Sequence, residues 1–115
     1  MQIEKWLKSD LRKLVEVNHS SGNLFYQDSG ANLIGVEVTE NGSEVTLSGS
    51  VTGSIITESG ETLTVQGNKQ GNKAWIVLPS DAYAEQGQIS VFIKLNNGNV
   101  VTTIGALEGK VYKGR

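Results

Sequence analysis

From Leu33 onward the chain is a succession of short alternating segments cut by glycine and asparagine, and this punctuation admits little besides strands joined by tight turns. Val36-Glu37-Val38-Thr39-Glu40 alternates apolar and polar side chains, as a half-buried strand must. Asn41-Gly42 follows, a hairpin signal because both residues tolerate positive φ. Alternation resumes over 45–51, and Gly49 and Gly53 are expected to mark a bulge or a bend between strands. Segments 54–57 and 62–65 flank Ser59-Gly60-Glu61 as a second hairpin, and Asn/Gly-rich residues 67–72 lead into Ala74-Trp75-Ile76-Val77-Leu78. Pro79 ends that strand, since it cannot donate to a ladder. A strand over 88–95, the turn Asn97-Gly98, and strands over 100–104 and 107–112 complete the chain. About eight short strands at spacings of roughly ten residues are the pattern of an antiparallel β-sandwich, immunoglobulin-like or jelly-roll-like.

Before Leu33 the signals conflict. Ile3, Leu7, Leu11 and Leu14 recur at helical spacing, so residues 1–12 are assigned to a short N-terminal arm with helix as its predicted conformation. Val15 and Val17 instead alternate, predicting a strand near 13–19 that opens a single sandwich domain over 13–115. Residues 20–32 are turn-rich, with Leu24-Phe25-Tyr26 as a brief extended piece.

Composition narrows function mainly by exclusion. A length of 115 residues fits one domain, and the modest 37% hydrophobic content with 14 glycines favours many short elements over a few long helices. The net charge of -2 carries no basic stripe, so nucleic acid is not an expected partner. No apolar run approaches spanning length, so no membrane contact is expected, and Glu4 and Asp10 in the first segment argue against a secretory signal. Without cysteine there is no disulfide framework, thiol nucleophile or thiolate metal site, which fits synthesis in a reducing cytoplasm. The Asn-x-Ser triplets at Asn18 and Asn41 are read as chance matches in turns.

The expected function is therefore not enzymatic, with no catalytic residue, metal site or cofactor. The one histidine, His19, has no nucleophile-elbow pattern to serve. Glu37, Glu40 and Glu44 surround a hairpin, where charges ordinarily solubilise turns and guard edges rather than flank a sugar for hydrolysis. Trp75, alternating with Val77, is expected in the core. Trp6 sits in the arm beside Leu7, either packing back on its own sheet or anchoring the module to a neighbour; Trp6, Leu7 and Leu11 are the candidate partner-binding residues. Pro79-Ser80-Asp81-Ala82-Tyr83-Ala84, before Gly87, reads as a crossover between sheets. In it Tyr83 is expected to plug the end of the sandwich with its hydroxyl bonded to backbone. Trp75, Pro79, Tyr83 and Gly87 are accordingly assigned structural roles.

The segment 45–53, the strand end Ile76-Val77-Leu78-Pro79-Ser80, the crossover Ala82-Tyr83-Ala84 with Gly87, and the strand 89–95 leading to Val101-Thr102-Thr103-Ile104 resemble tailed-phage head fibre proteins. Trp6-Leu7-Lys8-Ser9-Asp10-Leu11 and Asn23-Leu24-Phe25 fit the same group, which is similar to the N-terminal domain of phage baseplate upper proteins. The resemblance covers nearly the whole chain and rests on strand and turn patterns. It implies a homotrimeric virion protein, made in the bacterial host cytoplasm, that docks to the capsid as a fibre base or decoration domain. Docking to a baseplate or tail is the alternative. Two departures stand out: such proteins usually continue beyond this domain, and Leu14 occupies a position where proline is expected. From a different class, a carbohydrate-binding or adhesion module would use Trp75, Tyr26 or Tyr83.

Overall fold

The structure is a computed structural model, and it describes residues 3–11, 18–26, 32–84 and 86–112. These form ten strands and one 3-10 turn: β1 (Ile3–Asp10), β2 (Asn18–Tyr26), β3 (Asn32–Glu40), β4 (Ser43–Glu44), β5 (Ser50–Ile56), β6 (Thr62–Gln66), β7 (Asn68–Gln70), β8 (Lys73–Val77), the turn η1 (Ser80–Tyr83), β9 (Gly87–Asn97) and β10 (Val100–Tyr112). Two five-stranded sheets result, ordered β1-β3-β8-β7 with β4 paired to β3, and β2-β10-β9-β5-β6. All pairings are antiparallel except β1 with β3 and β2 with β10, which are parallel. The all-β, two-sheet architecture is the one the turn punctuation predicts.

Period-two alternation decides which side chains meet between the sheets. Ile34, Val36 and Val38 of β3 and Ala74 and Ile76 of β8 face Val51 and Ile55 of β5, Ile89, Val91 and Ile93 of β9, and Ile104, Leu107 and Val111 of β10, all buried in one core. These are largely β-branched residues, suited to a pleated surface packed on one side.

Several boundaries differ from the sequence expectation. The arm is not a helix: residues 3–10 are strand β1, in register with β3 from Ile3↔Asn32 to Asp10↔Thr39. Its burial alternates with period two, Leu7 half-buried against the core and Trp6 and Lys8 exposed, so the helical spacing of Ile3, Leu7 and Leu11 is overridden by ladder bonding to β3. Of the strand expected near 13–19, residues 13–17 lie outside the described residues, while Asn18 and His19 open β2. Ser20–Asn23, read as turn-rich, also belong to β2; 27–31 lie outside the described residues. Of the strand expected over 45–51 only Ser50 and Val51 are strand, as the start of β5; 45–49 link it to β4, with Gly49 at φ 94. Conversely, the two strands expected over 100–104 and 107–112 are one. A bulge between Thr103 and Gly105 inserts Ile104 into the ladder, shifting the alternation without ending the strand.

A candidate functional site on the outer face of the first sheet

The side of the first sheet turned away from the core carries Glu4, Trp6, Lys8 and Asp10 of β1, Gly35, Glu37 and Thr39 of β3, and Lys73 and Trp75 of β8. Their register fixes the arrangement: Trp6 lies beside Gly35, and Gly35 beside Trp75, in one cross-strand row. Lys8, Glu37 and Lys73 form the next row, and Asp10 and Thr39 the one beyond on β1 and β3.

The centre of the first row is glycine for a steric reason. A Cβ at Gly35 would stand 2.4, 2.6 and 2.7 Å from Cζ3, Cε3 and Cη2 of Trp6, so the six-membered part of the indole occupies the space a side chain would fill. An aromatic ring covering a strand glycine restores the packing that glycine lacks. The ring is held from three more directions. Trp75 meets it edge-on with centroids 6.3 Å apart, the Trp6 Nε1–H donates to Glu4 Oε1 at 3.0 Å, and Lys73 Nζ stands over the Trp6 ring, 5.7 Å from its centroid. Trp6 nevertheless remains 39% exposed.

Beside this platform is a cleft of about 390 Å³ lined by Lys8, Ser9, Asp10, Glu37 and Thr39. Its far wall is tied together by hydrogen bonds. Asp10 Oδ1 accepts from the Asn41 backbone N–H at 3.1 Å, and Oδ2 accepts from the Gly42 N–H at 2.9 Å and from Thr39 Oγ1 at 3.0 Å. The carboxylate thus ties the end of β1 to the Asn41-Gly42 turn, where both residues take positive φ. On the near wall Glu37 and Lys73 pair loosely, 3.9 Å apart.

Trp75 is not in the core: it is half-buried on the outer face, because Ala74 and Ile76 take the inward positions of β8. Trp6, Leu7 and Leu11 do not form one surface, since Trp6 faces outward, Leu7 packs toward the core, and Leu11 is exposed where its N–H donates to Thr39 O. Pro79 follows the end of β8 and leads into η1, which carries the chain to the second sheet. Tyr83 is buried at that crossing, and its hydroxyl accepts from Asn32 Nδ2 at 2.8 Å. Gly87, at φ +141, opens β9 beside Glu58, whose Oε1 accepts from the Gln88 N–H at 2.7 Å. Glu37 is drawn to Lys73, whereas Glu40 and Glu44 stay at the turn. His19 lies on β2 opposite Glu108. Among the described residues no three His, Asp or Glu side chains gather as a metal site would require, and no helix is long and apolar enough to cross a membrane. The Trp6–Gly35–Trp75 row is not among the sites expected from the sequence. Its only local sign is a glycine inside the apolar run Leu33-Ile34-Gly35-Val36, which marks a close approach.

Fold and face together define a small two-sheet β-domain with a supported aromatic platform on one outer surface. In overall fold it is similar to the N-terminal domain of phage TP901-1 ORF48, with a TM-score of 0.54 and 11% sequence identity over 96% of this chain and 98% of that one. No protein-family model and no curated protein matches the sequence.

Proposed function

We propose that the chain is a structural domain of a tailed-phage virion, one that docks at the baseplate or tail and catalyses no reaction. The observation that carries this reading is the near end-to-end correspondence with an N-terminal phage domain, 96% of one chain against 98% of the other. The unit shared is thus a whole domain rather than a common sheet fragment. The strand and crossover patterns of 45–53 and 76–95 point to the same group of proteins. The strand and turn patterns resemble fibre-base and baseplate upper N-terminal domains alike, and the baseplate or tail reading rests on the structural correspondence. The side chains of the outer face suit adhesion better than chemistry. Asp10 is committed to holding a turn.

In this reading the domain assembles as a homotrimer with phage proteins as its partners. Gold-labelled antibody against the domain, applied to intact particles and viewed by electron microscopy, is expected to mark the tail end. Label on the head would move the domain to a fibre base or decoration role, and particles without label would overturn the virion assignment.

A further inference from the structure

We propose that the Trp6 platform and its adjoining cleft form a saccharide-binding site, independent of where the domain docks. A sugar presents an apolar face of C–H groups and a rim of hydroxyls that both donate and accept. A site for it needs a flat π surface beside mixed polar groups, and this face supplies both within one cross-strand neighbourhood. The π surface is Trp6, whose only polar atom already donates to Glu4; Lys73 Nζ stands over the ring at 5.7 Å, so a sugar stacked there would meet that ammonium at its rim. The polar groups are the ammonium of Lys8 and the carboxylate of Glu37, on the row next to Trp6 and in register with each other.

Size argues for a small ligand. The cleft of about 390 Å³ falls at the lower end of small-molecule sites, which begin near 300 Å³. A stable protein interface needs about 800 Å² from each partner around an apolar centre, whereas Trp6 is the one strongly exposed apolar side chain on this face among the described residues. Rigidity argues that the site is ready-made. Gly35 beneath, Trp75 at the edge and Glu4 on the indole nitrogen fix the ring in place, so binding loses little side-chain freedom.

The test uses the whole chain on a printed array of bacterial-surface oligosaccharides and animal glycans, followed by titration of any retained glycan. Trp6 and Trp75 are the chain's two tryptophans and both lie on this face, so indole fluorescence reports the site directly. The expected result is retention of at least one glycan, a fluorescence change that saturates, and weakening of about tenfold or more in Trp6→Ala, the worth of one stacking contact. Because Trp6→Ala also removes the cover of Gly35, Lys8→Ala and Glu37→Gln are measured in parallel, each checked for an unchanged melt. Both are expected to weaken binding about threefold or more, the scale of one exposed polar contact. No retained glycan, or one whose binding survives all three substitutions, would overturn the proposal. So would light scattering showing that Trp6→Ala alone abolishes self-association, which would assign the face to a second copy of the chain.

Discussion

At the scale of single residues, the most constrained position is one with no side chain. Gly35 has β-strand neighbours on both sides, so backbone conformation does not demand glycine there; the indole of Trp6 does. Any Cβ would sit inside van der Waals contact with three ring carbons and push Trp6 off the sheet. Displacing the ring would also separate it from Trp75 and from Glu4, so several small contributions fall together. Gly35→Ala is therefore expected to destabilise the domain by about 1–3 kcal/mol, the range for overpacking a filled site. Urea unfolding followed by indole fluorescence measures this, and the native spectrum should itself change because both fluorophores flank the substituted residue. An alanine variant as stable as the wild type, with an unaltered spectrum, would show that the ring does not rest on Gly35.

The same contacts explain why β1 is an element of the sheet and not an appendage. Its outward side is pinned by Trp6 over Gly35, its inward side by Leu7 against the core, and its end by Asp10 and by the Leu11 N–H on Thr39 O. Deleting residues 1–11 would strip the edge of β3 and uncover Val36 and Val38, both fully buried. Loss of the cooperative melt by circular dichroism is the expected outcome, whereas a core that still folds would show β1 to be a detachable arm. Strands bounded by turn chemistry were legible in the sequence, as at Asn41-Gly42 and Asn97-Gly98, because the signal for each is local. The conformation of residues 3–10 was not, since Ile3, Leu7 and Leu11 fit a helix equally well and the deciding partner, β3, begins more than twenty residues later. Trp75 was misplaced for a related reason. Its strand is apolar on both faces, so alternation alone does not say which face is the core, and the outer-face row appears only when the parallel register brings Trp6 across. In β10 the bulge at Ile104 hid continuity, because one inserted residue breaks the period by which a strand is read.

At the scale of the whole molecule, the most exposed large apolar side chains are not on the platform but beyond it. Val100 and Val101 are 63% and 59% exposed, at the foot of the turn between β9 and β10, with Val100 in register opposite Asn97. Adjacent strand residues point to opposite faces, so exposure of both places this hairpin end outside the sandwich altogether. The run Val100-Val101-Thr102-Thr103-Ile104 is uncharged and rich in β-branched residues, the kind of segment that free proteins guard with charge or proline. In the docked state proposed above such guards are not needed, so this hairpin end is the predicted contact with the particle or sister subunits. Val100→Lys with Val101→Lys is expected to leave stability within about 0.5 kcal/mol, as exposed substitutions ordinarily do. The same pair is expected to convert the proposed trimer to monomer in light scattering, or to abolish incorporation into particles if the trimer survives. Glycan binding at Trp6 should be unchanged in that variant, since the lysines stand on the second sheet and the platform on the first. A variant that still assembles and still enters particles would place the docking surface elsewhere on the domain.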